Sequence, residues 1–88
     1  MPCYARMILI TGAEADAGPV RREHVAHLAR LKAEGKLRAA GAFAKGEGYL
    51  EIFEAKDLLE AESIARSSPL VVLGLGTFML REWDETPL

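Results

Sequence analysis

Cys3 is the only cysteine among the 88 residues, so the chain forms no internal disulfide and has no cysteine-rich metal site. That usage fits a reducing compartment, and a cytoplasmic location is expected. Long apolar runs are also missing: the most apolar stretch, residues 69–80, is interrupted by Gly74, Gly76 and Thr77 and falls far short of the roughly 20 residues a spanning helix needs. The opening Met-Pro-Cys-Tyr-Ala-Arg does not read as a secretory leader, so no membrane partner is expected. Nor is there a basic excess. Eleven Lys and Arg stand against 13 Asp and Glu, a net charge of −2, which argues against a surface built for nucleic acid. The charge is unevenly spread, with 8 basic and 4 acidic residues over 1–45 and 3 and 9 over 46–88, so an anion site belongs to the first half.

What is present is ordinary globular composition, 50% hydrophobic and 27% charged, without internal repeats or linkers, and residues 1–88 are expected to form one domain. A chain this short buries only about 60–70% of its unfolded surface, so association with a second copy would add needed stability.

Tyr4–Thr11 is rich in strand formers and closes at Gly12, which predicts a first strand with apolar groups on both faces. Residues 12–18 read as a loop. Pro19 suits a first helical position and Gly35 the residue past a helix end, so 19–34 is predicted as a helix. Leu37–Ala44 and Tyr49–Glu54 are strands joined by a glycine-bearing turn at 45–48. Asp57 and Glu60 resemble a capping box ahead of a second helix ending near Ser67, and residues 75–83 form a last strand after Pro69. The order βαββαβ defines an α+β, ferredoxin-like fold: one antiparallel sheet with two helices on one face. Its other face would lie bare, and the apolar residues there predict a homodimer packed sheet to sheet.

Wound at about 100° per residue, the first helix gathers Val20, His24, His27, Leu28 and Leu31 in one stripe, opposite Arg22, Ala26, Ala29 and Ala33. Both histidines of the chain therefore face inward. Neutral imidazole is the form that serves as general base near pH 7; the alternative is a pair of core histidines bonded to backbone. Three residues apart, they share a helix face and could chelate a metal, although the shell would need carboxylates or a second subunit. No metal is assigned. Arg21 and Arg22 fall in the first turn of the predicted helix, where a cation opposes the helix dipole; either they receive a carboxylate ligand or they pair with Glu23 or Asp16. Residues 45–52 partly resemble the third-strand motif of RNA-recognition domains, but Glu47 and Ile52 replace stacking aromatics, and Glu51 and Glu54 would repel phosphate. Trp83 is expected to be a packing anchor. No phosphate loop, nucleophile elbow or haem motif is present, so no cofactor is expected.

Taken in order, Arg21-x-x-His24, Leu28, Leu31, Gly35-Lys36-Leu37, Gly41, Ala61, Ala65, Ser68-Pro69-Leu70-x-x-x-Gly74-Leu75 and Arg81-x-Trp83 resemble the YCII-related family of dimeric α+β-barrel proteins. The resemblance implies an active-site His at His24 and an Asp just before the proline. Here that Asp is Ser68, and a Gly-Pro after the second strand is Gly41-Ala42. A serine hydroxyl can hydrogen-bond an imidazole but cannot stabilise its cation as a carboxylate does, so the pair is incomplete. Proteins similar to this family eliminate chloride from a chlorinated muconate-type acid, and related barrels isomerise muconolactones.

These readings combine into one expectation. His24 is the acid/base of a proton transfer on a small organic anion, in an isomerase or dehydrochlorinase-like lyase. Arg21 clamps the carboxylate, Ser68 bonds His24 or the ligand, and His27 lines the pocket or packs beneath it. The alternative is a non-catalytic ligand-binding or accessory module, or an assembly role through the open sheet. A carboxylate within reach of His24, from Glu23, Asp84 or a partner chain, would favour catalysis.

Overall fold

The computed structural model describes the backbone of residues 1–88 and the side chains of all but residues 14–16. Asp16, a suggested partner of Arg21 and Arg22, thus lies outside the described side chains. The elements are β1 (Cys3–Ile10), α1 (Glu14–Ala33), β2 (Leu37–Ala42), β3 (Gly48–Glu54), α2 (Leu58–Arg66), α3 (Pro69–Val72) and β4 (Gly76–Trp83). The four strands form one antiparallel sheet in the order β2-β3-β1-β4, the α+β arrangement that the element order predicts. No helix among the described residues is long and apolar enough to cross a membrane.

Register decides which side chains meet under the helices. β1 and β3 pair Tyr4 with Phe53, Arg6 with Glu51 and Ile8 with Tyr49, and all six side chains are buried. The alternate residues, Met7, Leu9, Leu50 and Ile52, share the other face with Met79, and Leu9, Leu50 and Met79 are exposed there. Among the described residues, two apolar clusters form the core. One joins Tyr4, Phe53, Ala55 and Ala61; the other joins Ile8, Tyr49 and Leu70. Between them on the sheet lie Arg6 and Glu51.

Close strand pairing explains one glycine. A Cβ at Gly48 would sit 1.8 Å from the Ile8 carbonyl oxygen, so no side chain fits where β3 meets β1. Gly35, at φ 75°, ends α1 as predicted: its N–H bonds Lys32 O while that of Lys36 bonds Leu31 O. Asp57 caps α2 by accepting from the Glu60 N–H at 2.9 Å.

Three predicted features differ. Helix α1 starts at Glu14 rather than Pro19, so Gly18 and Pro19 lie inside it. Propensity alone would not offset these two breakers; the added turn is held by packing, with Ala17 fully buried. Arg21 and Arg22 consequently stand well beyond the first turn, and the conflict with the helix dipole disappears. A further helix, α3, follows Ser68, which caps it through an Oγ that accepts from the Leu70 N–H; Pro69 occupies its first turn. Trp83 is 38% exposed, because its pairing with Cys3 turns it onto the sheet face opposite the helices, the face of Met79, which is open in the single chain.

Candidate active site

The sequence expectation for α1 holds: His24, His27, Leu28 and Leu31 are buried and Val20 is half-buried, while Arg22, Ala26, Ala29 and Ala33 are exposed. This stripe lays His24 over the polar pair of the sheet. His24 Nε2 lies 2.8 Å from Glu51 Oε2, and His24 Nδ1 lies 2.7 Å from Ser68 Oγ. The Tyr49 ring packs at 4.5 Å between centroids and fixes the imidazole plane. Arg6 Nε donates to Glu51 Oε1 at 2.6 Å, and Arg6 Nη1 donates to the carbonyls of Ile64 (3.3 Å) and Ala65 (3.1 Å) near the C-terminus of α2. The guanidinium also stands 5.9 Å above the Phe53 ring.

The result is a continuous chain of hydrogen bonds from the end of α2 through Arg6, Glu51, His24 and Ser68 to the start of α3. Arg6, His24, Glu51 and Ser68 are all fully buried. Burial by itself would raise the Glu51 carboxyl, but the His24 hydrogen bond and the charge and hydrogen bond of Arg6 hold it below the usual carboxylate value. The carboxylate is therefore ionised near neutrality. Its bond to Arg6 is charge-assisted, and removing one member of such a buried pair typically costs about 3–5 kcal/mol. On the ring itself, a hydrogen bond to a charged carboxylate contributes about 1.5–3 kcal/mol and a neutral serine–imidazole bond about 1 kcal/mol. The two sides of His24 are thus held with unequal strength.

His27 sits one turn further along α1, with its ring 5.8 Å from that of His24. Burial, then the charges of Arg6 and His24, push its pKa down to about 4, so it is neutral at pH 7. Its Nε2 and Arg6 Nη2 are buried without hydrogen-bond partners among the described residues. Arg21 is half-buried and donates from Nη2 to the Gly46 carbonyl at 2.6 Å, tying α1 to the β2–β3 turn. Among the described residues, no group of three His, Cys, Asp or Glu is placed to hold a metal ion.

Two participants escape the sequence reading. Glu51, taken there as an acid that would repel phosphate, is the carboxylate beside His24, in place of Glu23 or Asp84, and Arg6 is its partner. Strand alternation carries the signal: each charge sits between two inward-facing residues, Tyr4 and Ile8 or Tyr49 and Phe53. The pocket expected at His24 is closed, since His24, Glu51 and Ser68 have no exposed surface. Cavities of about 330 and 220 Å³ lie elsewhere, one lined by Ala39, Gly41, Leu50 and Ile52, the other by Met7, Leu9 and Met79.

Sheet order, helix placement and element order together define the protomer fold of the dimeric α+β-barrel proteins. The chain belongs to the YCII-related family, whose domain model matches residues 4–84. It is 38% identical over 66 residues to the uncharacterised protein YjpA of Bacillus subtilis (strain 168), covering 70% of this chain and 78% of that one. Among solved structures it is similar to the 5-chloro-2-hydroxyhydroquinone dehydrochlorinase TftG of Burkholderia phenoliruptrix AC1100, in complex with 2,5-dihydroxybenzoquinone. That match has a TM-score of 0.81 at 20% identity and covers 96% of this chain and 95% of that one. It is also similar to muconolactone isomerase, with a TM-score of 0.74 at 16% identity over 99% and 92% of the two chains. At such identities the two likenesses are of fold.

Proposed function

We propose that this protein catalyses proton transfer on a small organic acid, as an isomerase or a dehydrochlorinase-like lyase, with His24 as the acid/base. One observation carries the reading: the His24 imidazole is held between Ser68 and the carboxylate of Glu51, which Arg6 in turn holds. In the reaction, His24 takes a proton from carbon next to a carbonyl of the substrate, and the electron pair moves into that carbonyl. The resulting imidazolium faces the Glu51 carboxylate, which stabilises it. Return of the proton to another carbon gives the isomer. Departure of halide from the neighbouring carbon gives the eliminated product, and the proton then leaves His24 for solvent. Arg21, one turn before His24 on α1, is the proposed contact for the substrate carboxylate, and His27 packs beside the acid/base. The dehydrochlorinase and isomerase activities of the two structural relatives fit this chemistry.

The working unit in this reading is a cytoplasmic homodimer, joined through the apolar sheet face that carries Leu9, Leu50 and Met79. A non-catalytic ligand-binding role is the second reading, favoured by the complete burial of His24, Glu51 and Ser68.

A thermal-shift screen of small mono- and dicarboxylates and lactones separates a ligand site at α1 from none. A compound at one hundred times its Kd adds about 2.7 kcal/mol, a shift easily read in a domain of this size. The proposal expects at least one such compound, with its shift lost in His24→Ala and reduced in Arg21→Ala; an undiminished shift in His24→Ala contradicts it.

A further inference from the structure

The two ring nitrogens of His24 are not equivalent, and their partners decide which one can react. We propose that Nδ1 is the reactive nitrogen, that substrate reaches it from the corner between α2 and α3 in place of the Ser68 hydroxyl, and that Arg6 is the positioning residue that sets this choice through Glu51. The inference rests on the proton-transfer reading above.

An ionised carboxylate only accepts hydrogen bonds, so the short contact between Glu51 Oε2 and Nε2 requires the proton to be on Nε2. In the neutral ring, Nδ1 is then the lone-pair nitrogen. The Ser68 Oγ accepts from the Leu70 N–H at 3.3 Å and has one hydrogen of its own, which it donates to Nδ1 at 2.7 Å. Of the two neutral tautomers, only this one satisfies both partners.

The Glu51 side of the ring cannot yield. Its second oxygen is taken by Arg6 Nε, and Arg6 is anchored on the carbonyls of Ile64 and Ala65 beneath the helices. Displacing Glu51 would strand two buried charges. The Ser68 side is held by a neutral hydrogen bond and lies one residue from exposed Ser67, at the head of a four-residue helix whose Val72 and neighbouring Leu73 are exposed. A substrate C–H or hydroxyl that takes the place of the serine hydroxyl meets a nitrogen already oriented and free of a proton. Protonation at Nδ1 then yields an imidazolium whose Nε2–H still points at Glu51. The assignment makes Arg6 a positioning residue: it touches no substrate, and it acts by holding Glu51 ionised and turned towards Nε2.

The imidazole nitrogen shifts of uniformly ¹⁵N-labelled protein at pH 7 test the assignment without any substrate. The wild type is expected to show His24 as a single tautomer, protonated at Nε2, and Ser68→Ala to keep it. Arg6→Lys retains the charge but not the fixed fork, and is expected to give a mixture of tautomers while the amide spectrum stays dispersed. If Arg6→Lys does not fold, Glu51→Gln supplies the same comparison, because a neutral amide no longer compels Nε2 to donate. A wild-type His24 protonated at Nδ1 overturns the inference, as does a tautomer ratio unchanged in the variant compared. The parent reading fails differently: a screen with no ligand or turnover would leave the tautomer result standing, whereas a wrong tautomer sinks the inference even for an active enzyme.

Discussion

The carboxylate of Glu51, in the middle of β3, lies 2.8 Å from Nε2 of His24 on α1. Twenty-seven positions separate them in the chain, and they meet because two periodicities coincide. The period of α1 turns His24 down onto the sheet, and the alternation of β3 turns Glu51 up between Tyr49 and Phe53. The resemblance to the family leads one to expect a carboxylate just before Pro69, where this chain has Ser68; here a carboxylate reaches the same imidazole from the sheet, on its other nitrogen.

Breaking the buried pair should be costly. Arg6→Met and Glu51→Leu are each expected to destabilise the protein by about 3–5 kcal/mol, since each leaves its partner charged or unsatisfied in the core. The double variant should lose less than the sum of the two. Urea denaturation of all four proteins in a double-mutant cycle measures this coupling.

Acid should weaken the fold in two stages. His27 has a folded pKa of about 4 against 6.5 unfolded, so its contribution is complete above pH 6.5 and declines as pH falls, because the unfolded chain takes up a proton that the folded one refuses. At pH 5 the loss is about 2 kcal/mol by linkage. Glu51, held low in the folded state, adds a loss below the normal carboxylate pKa, as pH falls through its folded value. Urea melts at pH 7.5 and 5.0 should show the first loss in the wild type and not in His27→Gln.

Much of this architecture is legible in the residues. The stripe of α1, the Asp57 cap, the Gly35 stop and the turn at Gly46 each rest on local chemistry, and each is where the sequence puts it. The start of α1 is misread because Gly18 and Pro19 look like punctuation, while the turn before them is held by tertiary packing of the buried Ala17. Helix α3 is missed although its signal is present: Ser68 as cap, Pro69 in the first turn and Gly74, at φ 72°, just past the end. Arg6 and Glu51 are harder to see. Each is only a charge inside a strand until the register of β1 against β3 brings the two together, and register is a tertiary fact. Closure of the site is likewise invisible in sequence, because it depends on α1 packing against the sheet and against the turn at Ser68 that begins α3.

Gly48 is intolerant of any side chain. Gly48→Ala should destabilise the protein by more than about 4 kcal/mol, beyond the usual range for one substitution, because the new methyl collides with the Ile8 carbonyl and forces β1 and β3 apart. Soluble yield and thermal melting of the variant check this. Gly41→Ala, with nothing within 4 Å of its Cβ, is the matched control.

The uncovered sheet face should hold two chains together. Leu50→Glu places a charge among Leu9, Ile52 and Met79 and is expected to turn a dimer into a monomer with the same circular dichroism spectrum. Sedimentation equilibrium distinguishes the two states.

Proton transfer by His24 is most directly tested by exchange in heavy water. Small organic acids and lactones are incubated with the protein in D₂O, and deuterium at carbon next to the carbonyl is followed by NMR. The account predicts incorporation into at least one compound with the wild type, and a fall of at least one hundredfold, on the order of what a general base contributes, in His24→Ala. Incorporation that persists at the wild-type rate in His24→Ala would contradict it, as would exchange in none of the compounds that bind at α1.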